Sequence, residues 1–179
     1  SETPSQHGDP NWDLLAEPIS LQAHLNAQWQ LSTVSARDLA IGITLIDALD
    51  ADGYWTSAYG DIRDATRFAE PAADDEIDAV RHLIQRLDPV GTASRDLSEC
   101  LIVQLTQLDA DAEVLAAAQT IAENHLSVMA HKGIETVAKV IGLPPNLVAQ
   151  AAGLLKTLDP KPGAAFHTGR TDYIEADFA

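Results

Sequence analysis

The sequence predicts an all-α protein of about eight helices in two helical subdomains, the second resembling a helix-turn-helix. Three observations carry this. Apolar residues recur at three- and four-residue spacing from Leu21 to Leu158. The strand candidates, Tyr54–Trp55 and Asp172–Phe178, are both short. Aromatic residues make up 5% of the chain and hydrophobic residues 46%, so the cores must be built from Leu, Ile, Val and Ala.

Each element follows from its own pattern. Residues 1–13 are polar, contain Pro4, Gly8 and Pro10, and read as a flexible lead. Leu21, Leu25 and Trp29 then define one face of a first helix. Ser35 caps a second, with Leu39, Ile43, Ile46 and Leu49 directed inward. Residues 61–69 allow a short third helix. The fourth carries Ile77, Val80, Ile84 and Leu87, and its first turn holds Asp74, Asp75 and Glu76, which complement the positive end of the macrodipole. Leu97, Leu101, Gln104, Leu105 and Leu108 stripe a fifth helix; Leu115, Ala118, Ala122, Leu126 and Met129 stripe a sixth. A short helix covers 134–141. The last long helix covers 145–158, with Pro145 at a tolerated first-turn position. The expected division is a first subdomain over 14–130 and a second over 131–179.

Three helices end alike. LIDALDADG ends at Gly53, LIQRLDPVG at Gly91 and LLKTLDPKPG at Gly163. Each places Leu-Asp before a Pro or Gly stop. The unequal intervals between them argue against a solenoid and predict a shared stop geometry.

Charge narrows the function classes. The 179 residues hold 11 Lys+Arg against 27 Asp+Glu, net −16. Residues 1–130 carry 6 basic and 22 acidic side chains, whereas 131–163 carry 4 basic and 2 acidic. Such a chain is not built mainly to coat phosphate backbones. It suits a protein partner that is basic or of mixed charge. Cys100, the single cysteine, excludes an internal disulfide and a Cys-based zinc site. No apolar run reaches the length of a membrane span, so a soluble protein of a reducing compartment is expected.

Catalytic patterns are weak. Asp50, Asp52 and Gly53 resemble part of a calcium loop, but Ala48 and Tyr59 occupy the positions of its first and last ligands. His125 and His131 form the best metal guess, and a poor one. Cys100 reads as a buried, inert thiol. The reading is therefore of a chain that is not an enzyme and uses no cofactor.

One constellation stands out. IETVAKVIGLPPNLVAQAAGLL, from Ile134 to Leu155, fits a helix-turn-helix, with Ala138 at the crossing, Gly142 at the turn and Val148 beyond it. Its second helix offers Asn146 and Gln150 to a partner, with Lys156 as its one cation. Without phosphate-holding cations, packing or protein contact is favoured over DNA reading. A helix-turn-helix DNA-binding regulator is the alternative.

Together, HLNAQWQL (His24 to Leu31), LIDALDADGYW (Leu45 to Trp55), LIQRLDPVGTASRDLSECLIVQL (Leu83 to Leu105) and LLKTLDPKPG (Leu154 to Gly163) resemble the core-binding region of sigma-54, the activator-dependent bacterial sigma factor. The segment DPVGTASRDLSECL is the most specific part. The resemblance implies a bacterial cytoplasmic protein that binds core RNA polymerase. It implies that promoter DNA is read through regions absent from this chain, and that an ATP-dependent activator acts on the complex indirectly. The family's N-terminal activator-responsive segment and C-terminal DNA-binding part are not found, Trp55 stands where Leu is commoner, and YIEADFA departs from the family pattern, so an excised or truncated core-binding fragment is expected. The candidate polymerase contacts are Arg86, Arg95, Asp96 and Glu99 around the turn between the fourth and fifth helices, with Asn146, Gln150 and Lys156 on the last helix. Local roles compete: Asp96 and Glu99 suit a first helical turn, and Arg95 stands four residues before Glu99.

Overall fold

The computed structural model describes residues 18–167. The lead over 1–13 and the strand candidate Asp172–Phe178 lie outside the described residues. Within them the chain is helical, with no strand.

Helix α1 (Leu21–Trp29) starts where Ser20 Oγ accepts from Ala23 N at 3.0 Å. Helix α2 (Ala36–Asp47) starts in the same way, at Ser35. Its buried face is Ile41, Gly42, Leu45 and Ile46, rotated from the expected stripe; Leu39 and Ile43 are only partly buried. The cause is Trp29. Its indole lies flat against Gly42, where a Cβ would stand 2.2 Å from the ring, and its Nε1 donates to Leu39 O at 3.0 Å. A residue with no side chain thus occupies the centre of the contact face.

Helix α3 (Tyr59–Thr66) is shorter than expected because Arg67 turns left-handed at φ 55° and stops it. Helix α4 (Asp74–Ile84) buries Ile77, Val80, Arg81 and Ile84. These four helices share one cluster running from Leu21 to Ala93, with Trp29 and Trp55 as its largest fully buried side chains.

Helices α5 (Leu97–Leu105), α6 (Ala112–Asn124), α7 (Leu126–Ile141) and α8 (Pro145–Lys156) form the second cluster, around Leu105, Ala118, Ile121, Val137, Val148 and Ala151. The expected sixth helix is interrupted at His125, and its stripe is divided between α6 and α7. Helix α7 bends again at Gly133, whose φ of 86° lies outside the helical region. Leu105, Ala117, Ala118 and Ile121 all pack in the second cluster. The two clusters part between Ala93 and Leu105. A helical stripe reveals which face is buried, not which neighbour buries it.

The three Leu-Asp stops meet at one place. Ala93 N donates to Gly53 O at 2.8 Å and Trp55 N to Ser94 O at 3.0 Å, joining the first stop to the second. Gly163 N donates to Asp52 O at 2.8 Å and Tyr54 Oη to Pro160 O at 2.5 Å, joining the first to the third. Gln104 closes the ring: its Nε2 donates to Asp159 O at 2.7 Å and its Oε1 accepts from Asp159 N at 2.8 Å. The segment after α8 then returns Phe166 to the first cluster, against His24.

Candidate functional site

The junction between α4 and α5 brings together the most specific part of the sequence. Its centre is Arg81, only 5% exposed. Its Nη1 donates to both Glu99 oxygens, at 2.9 and 2.8 Å, and to Ala93 O at 3.0 Å; its Nε donates to Asp78 Oδ1 at 3.0 Å. Glu99 also accepts from Gln85 Nε2 at 2.8 Å and from Arg95 N at 2.7 Å. Tyr59 Oη donates to Asp78, and that bond is the main reason its hydroxyl titrates above the ordinary value. A buried guanidinium is tolerable because its donors are matched this way.

The sequence reading missed Arg81. The clue is its position: Ile77, Val80, Arg81 and Ile84 fall at i, i+3, i+4 and i+7, so an arginine occupies the apolar stripe itself.

The four candidates at this junction have separate environments. Asp96 caps α5, its Oδ1 accepting from Glu99 N at 2.9 Å. Glu99 faces Arg81. The Arg95 side chain does not pair with Glu99, the local pairing weighed from sequence; its Nη1 donates to Trp55 O at 3.1 Å and Ser57 O at 2.6 Å, and its guanidinium lies 4.0 Å over the Trp55 ring. The stack places a cation on the negative face of the indole, which beats an i, i+4 contact left in water. Arg86 is exposed and has no ion pair among the described residues.

On the second cluster, Gly142 ends α7 in a left-handed turn of φ 75°, and its N donates to Ala138 O at 2.9 Å. Helix α8 follows and buries Val148, Ala151 and Ala152. Asn146 and Gln150 are exposed one turn apart on one face. Lys156 is also exposed, but lies ten residues beyond Asn146, roughly 280° around the helix. It borders a groove with Leu97 and Leu101 of α5 instead.

Burial pushes the Cys100 thiol up, away from the thiolate a nucleophile needs. Asp50 Oδ1 accepts from Asp52 N at 3.0 Å and Tyr54 N at 2.9 Å, so the calcium-like segment is an Asx turn. His131 Nδ1 lies 2.8 Å from Ser127 O on its own helix.

Residues 12–179 match the family model described as the sigma-54 factor core binding domain. The chain belongs to this family. Sigma-54 core-binding sequence is thus continuous through both hydrophobic clusters and the junction between them. The chain is 37% identical over 158 residues to the RNA polymerase sigma-54 factor of Salmonella typhimurium, covering 88% of this chain and 33% of the relative. The same figures hold for that of Escherichia coli K12. With the factor of Azotobacter vinelandii, identity is 32% over 180 residues, 99% of this chain and 36% of the relative. The chain therefore spans about a third of the length of these curated relatives. No helix among the described residues is long and apolar enough to cross a membrane.

Proposed function

We propose that this chain is the core-RNA-polymerase-binding module of a sigma-54-type transcription initiation factor, acting by contact and not by catalysis, in a bacterial cytoplasm. The observation that carries the reading is the family match over residues 12–179. The wholly helical build and the mostly acidic surface accord with it, since gripping protein needs neither a catalytic constellation nor a cationic groove. Promoter recognition and the response to an ATP-hydrolysing activator belong, on this reading, to other regions of such a factor.

Arg86, Asn146, Gln150 and Lys156 are the proposed polymerase contacts, because their side chains are exposed and make no hydrogen bond or ion pair among the described residues. Arg95 and Asp96 are exposed as well, but their side chains, like that of Glu99, are engaged within the junction, and they act by fixing how α4 meets α5. We divide the module into two subdomains between Ala93 and Leu105, where its hydrophobic clusters part. The test is co-elution with core RNA polymerase on a sizing column at micromolar concentration. Separate elution refutes the reading. Arg86→Glu should weaken retention while leaving the thermal melt unchanged.

A further inference from the structure

An apolar groove of about 570 Å³ opens between α5, α7 and α8. One wall holds Leu97 and Leu101 of α5, and another holds Leu126, Met129 and Ile134 of α7. Leu97 is 41% exposed although it belongs to the apolar stripe of its helix. Helix α7 is the unusual wall, because its backbone is broken inside the groove. Gly133, at the break, has φ 86° and ψ −177°, a combination that essentially only glycine holds. No neighbouring group lies within 4 Å of where its Cβ would stand, so the joint has room around it.

The break resets the direction in which α7 faces. Met129 and Ile134 stand five residues apart, roughly 140° around an unbroken helix, yet both pack against the second cluster. Residues 126–132 are therefore a short helix with a register of its own. A joint stands at each end: Gly133 on one side, and His125, at φ −130° and ψ 15°, on the other. Little burial holds the segment between them. The residues that α7 buries, Val137 and Ala138, both lie beyond Gly133. Before it, Leu126, Val128 and Met129 are only half-buried, and Ser127, Ala130, His131 and Lys132 are exposed. The polar contact of His131 Nδ1, 2.8 Å from Ser127 O, stays inside the segment.

We infer that residues 126–132 form a lid, which swings about His125 and Gly133 and closes the groove by bringing Met129 against Leu97. Closure takes apolar surface on both walls out of water. What opposes it is the half-burial of Leu126 and Val128 against the second cluster, which the swing loosens. Gain and loss are of the same kind, as a pair of interconverting states needs. The groove is then offered to solvent in one state and withdrawn in the other. The device goes beyond the binding reading and needs no partner to operate.

Met129 is the only methionine in the chain, so methyl-¹³C methionine labelling gives one signal, on the lid itself. Its transverse relaxation should show exchange between two positions on the microsecond-to-millisecond scale of hinge motions. Leu97→Ala removes the surface on which the lid closes. It should quench the exchange and move the Met129 signal toward its open position, with the amide spectrum of α1–α4 unchanged. Gly133→Ala denies the joint its glycine-only torsions and should also move the signal. A Met129 methyl without exchange in the native chain would overturn the inference. So would exchange that persists unaltered in Leu97→Ala, which means a motion not directed at α5, or a signal and exchange that Gly133→Ala leaves as they were. Exchange that grows with protein concentration means self-association and overturns it too. If Gly133→Ala fails to fold, the native chain and Leu97→Ala decide between the outcomes. The relaxation measurement uses the chain alone, so its failure leaves the polymerase-binding reading standing, and failed co-elution leaves the lid standing.

Discussion

Replacing Arg81 by Met tests whether the α4–α5 junction is held by one matched charge cluster. The substitution keeps the aliphatic stem and removes a guanidinium that makes five hydrogen bonds, three of them to carboxylate oxygens, one to Ala93 O and a long one to His82. Breaking a buried pair from one side costs about 3–5 kcal/mol. Here the remaining partners are not wholly stranded. The side chains of Glu99 and Asp78 are 25% and 30% exposed, and they keep Gln85, Arg95 N and Tyr59 as donors. The expectation is therefore the lower end, about 3 kcal/mol, a large part of the roughly 5–15 kcal/mol of a whole domain. Urea unfolding followed by circular dichroism gives the free energy. Tryptophan fluorescence follows it too, because Trp55 lies 5.9 Å from the Arg81 guanidinium. Combining Arg81→Met with Glu99→Gln should cost less than the two separately, by at least about 1 kcal/mol, since each removes the same interaction. A loss below about 1 kcal/mol for the single variant, or additivity within about 0.5 kcal/mol, refutes the account.

The other glycine and titration effects are separable. Gly42→Ala forces a methyl into the Trp29 indole and should cost at least roughly 1–3 kcal/mol in a thermal melt, whereas Gly153→Ala, in open space on α8, should gain up to about 1 kcal/mol. Gly163→Ala drives a Cβ to 2.7 Å from Ala51 O and Gly53 N, so amide exchange at residue 163 should accelerate while α6 keeps its protection. The hydrogen bond from Arg37 holds the Glu76 carboxyl below its ordinary value. Its contribution is present above the unfolded value and is lost as pH falls through the folded one, so Glu76→Gln should lose less stability than the native chain on acidification. Burial raises the Cys100 thiol, giving stability that is present below its unfolded value and lost as pH rises through the folded one. A thiol reagent at neutral pH should accordingly label it only as fast as the chain opens.

The helices were legible because their caps and stripes are local. Ser20, Ser35, Asp96 and Asp111 all cap helices through side-chain oxygens, and the apolar periods place each element within a few residues. What periodicity misses depends on contacts distant in sequence. The face of α2 turned because Trp29, thirteen residues earlier, needs the space above Gly42. The stripe from Leu115 to Met129 continues through His125 as if unbroken, since a stripe records spacing and not backbone direction. At the junction, Asp96 and Glu99 were readable as first-turn residues, but Arg81 was not singled out. Its charge suggested the surface, while its place in the stripe put it inside. Lys156 shares a helix with Asn146 and Gln150, but only the fold, which sets it on a groove with Leu97 and Leu101 of α5, shows that it serves a different face.

The three Leu-Asp stops explain why similar motifs stand at unequal intervals. Their aspartates do different work. Asp50 accepts from the backbone of its own turn, Asp88 receives His24 at 2.9 Å, and Asp159 accepts from Lys161 N at 2.9 Å. What the motifs share is a helix ended by a tight, backbone-rich loop. Where glycine removes the side chain, backbone can approach backbone: at Gly53 a Cβ would lie 3.1 Å from Gly163 N and 3.3 Å from Thr92. Three such ends can therefore bond to one another, whereas three ordinary helix ends would be held apart by their side chains. A solenoid needs equal spacing because each repeat stacks on the next. A meeting point needs only that each chain segment arrive, so the intervals are free to differ. The same meeting point ties the segment after α8 to the loop before α3 through one backbone bond, Gly163 N to Asp52 O, and one side-chain bond, Tyr54 Oη to Pro160 O, so the close approach that glycine permits and a single hydroxyl together join the two.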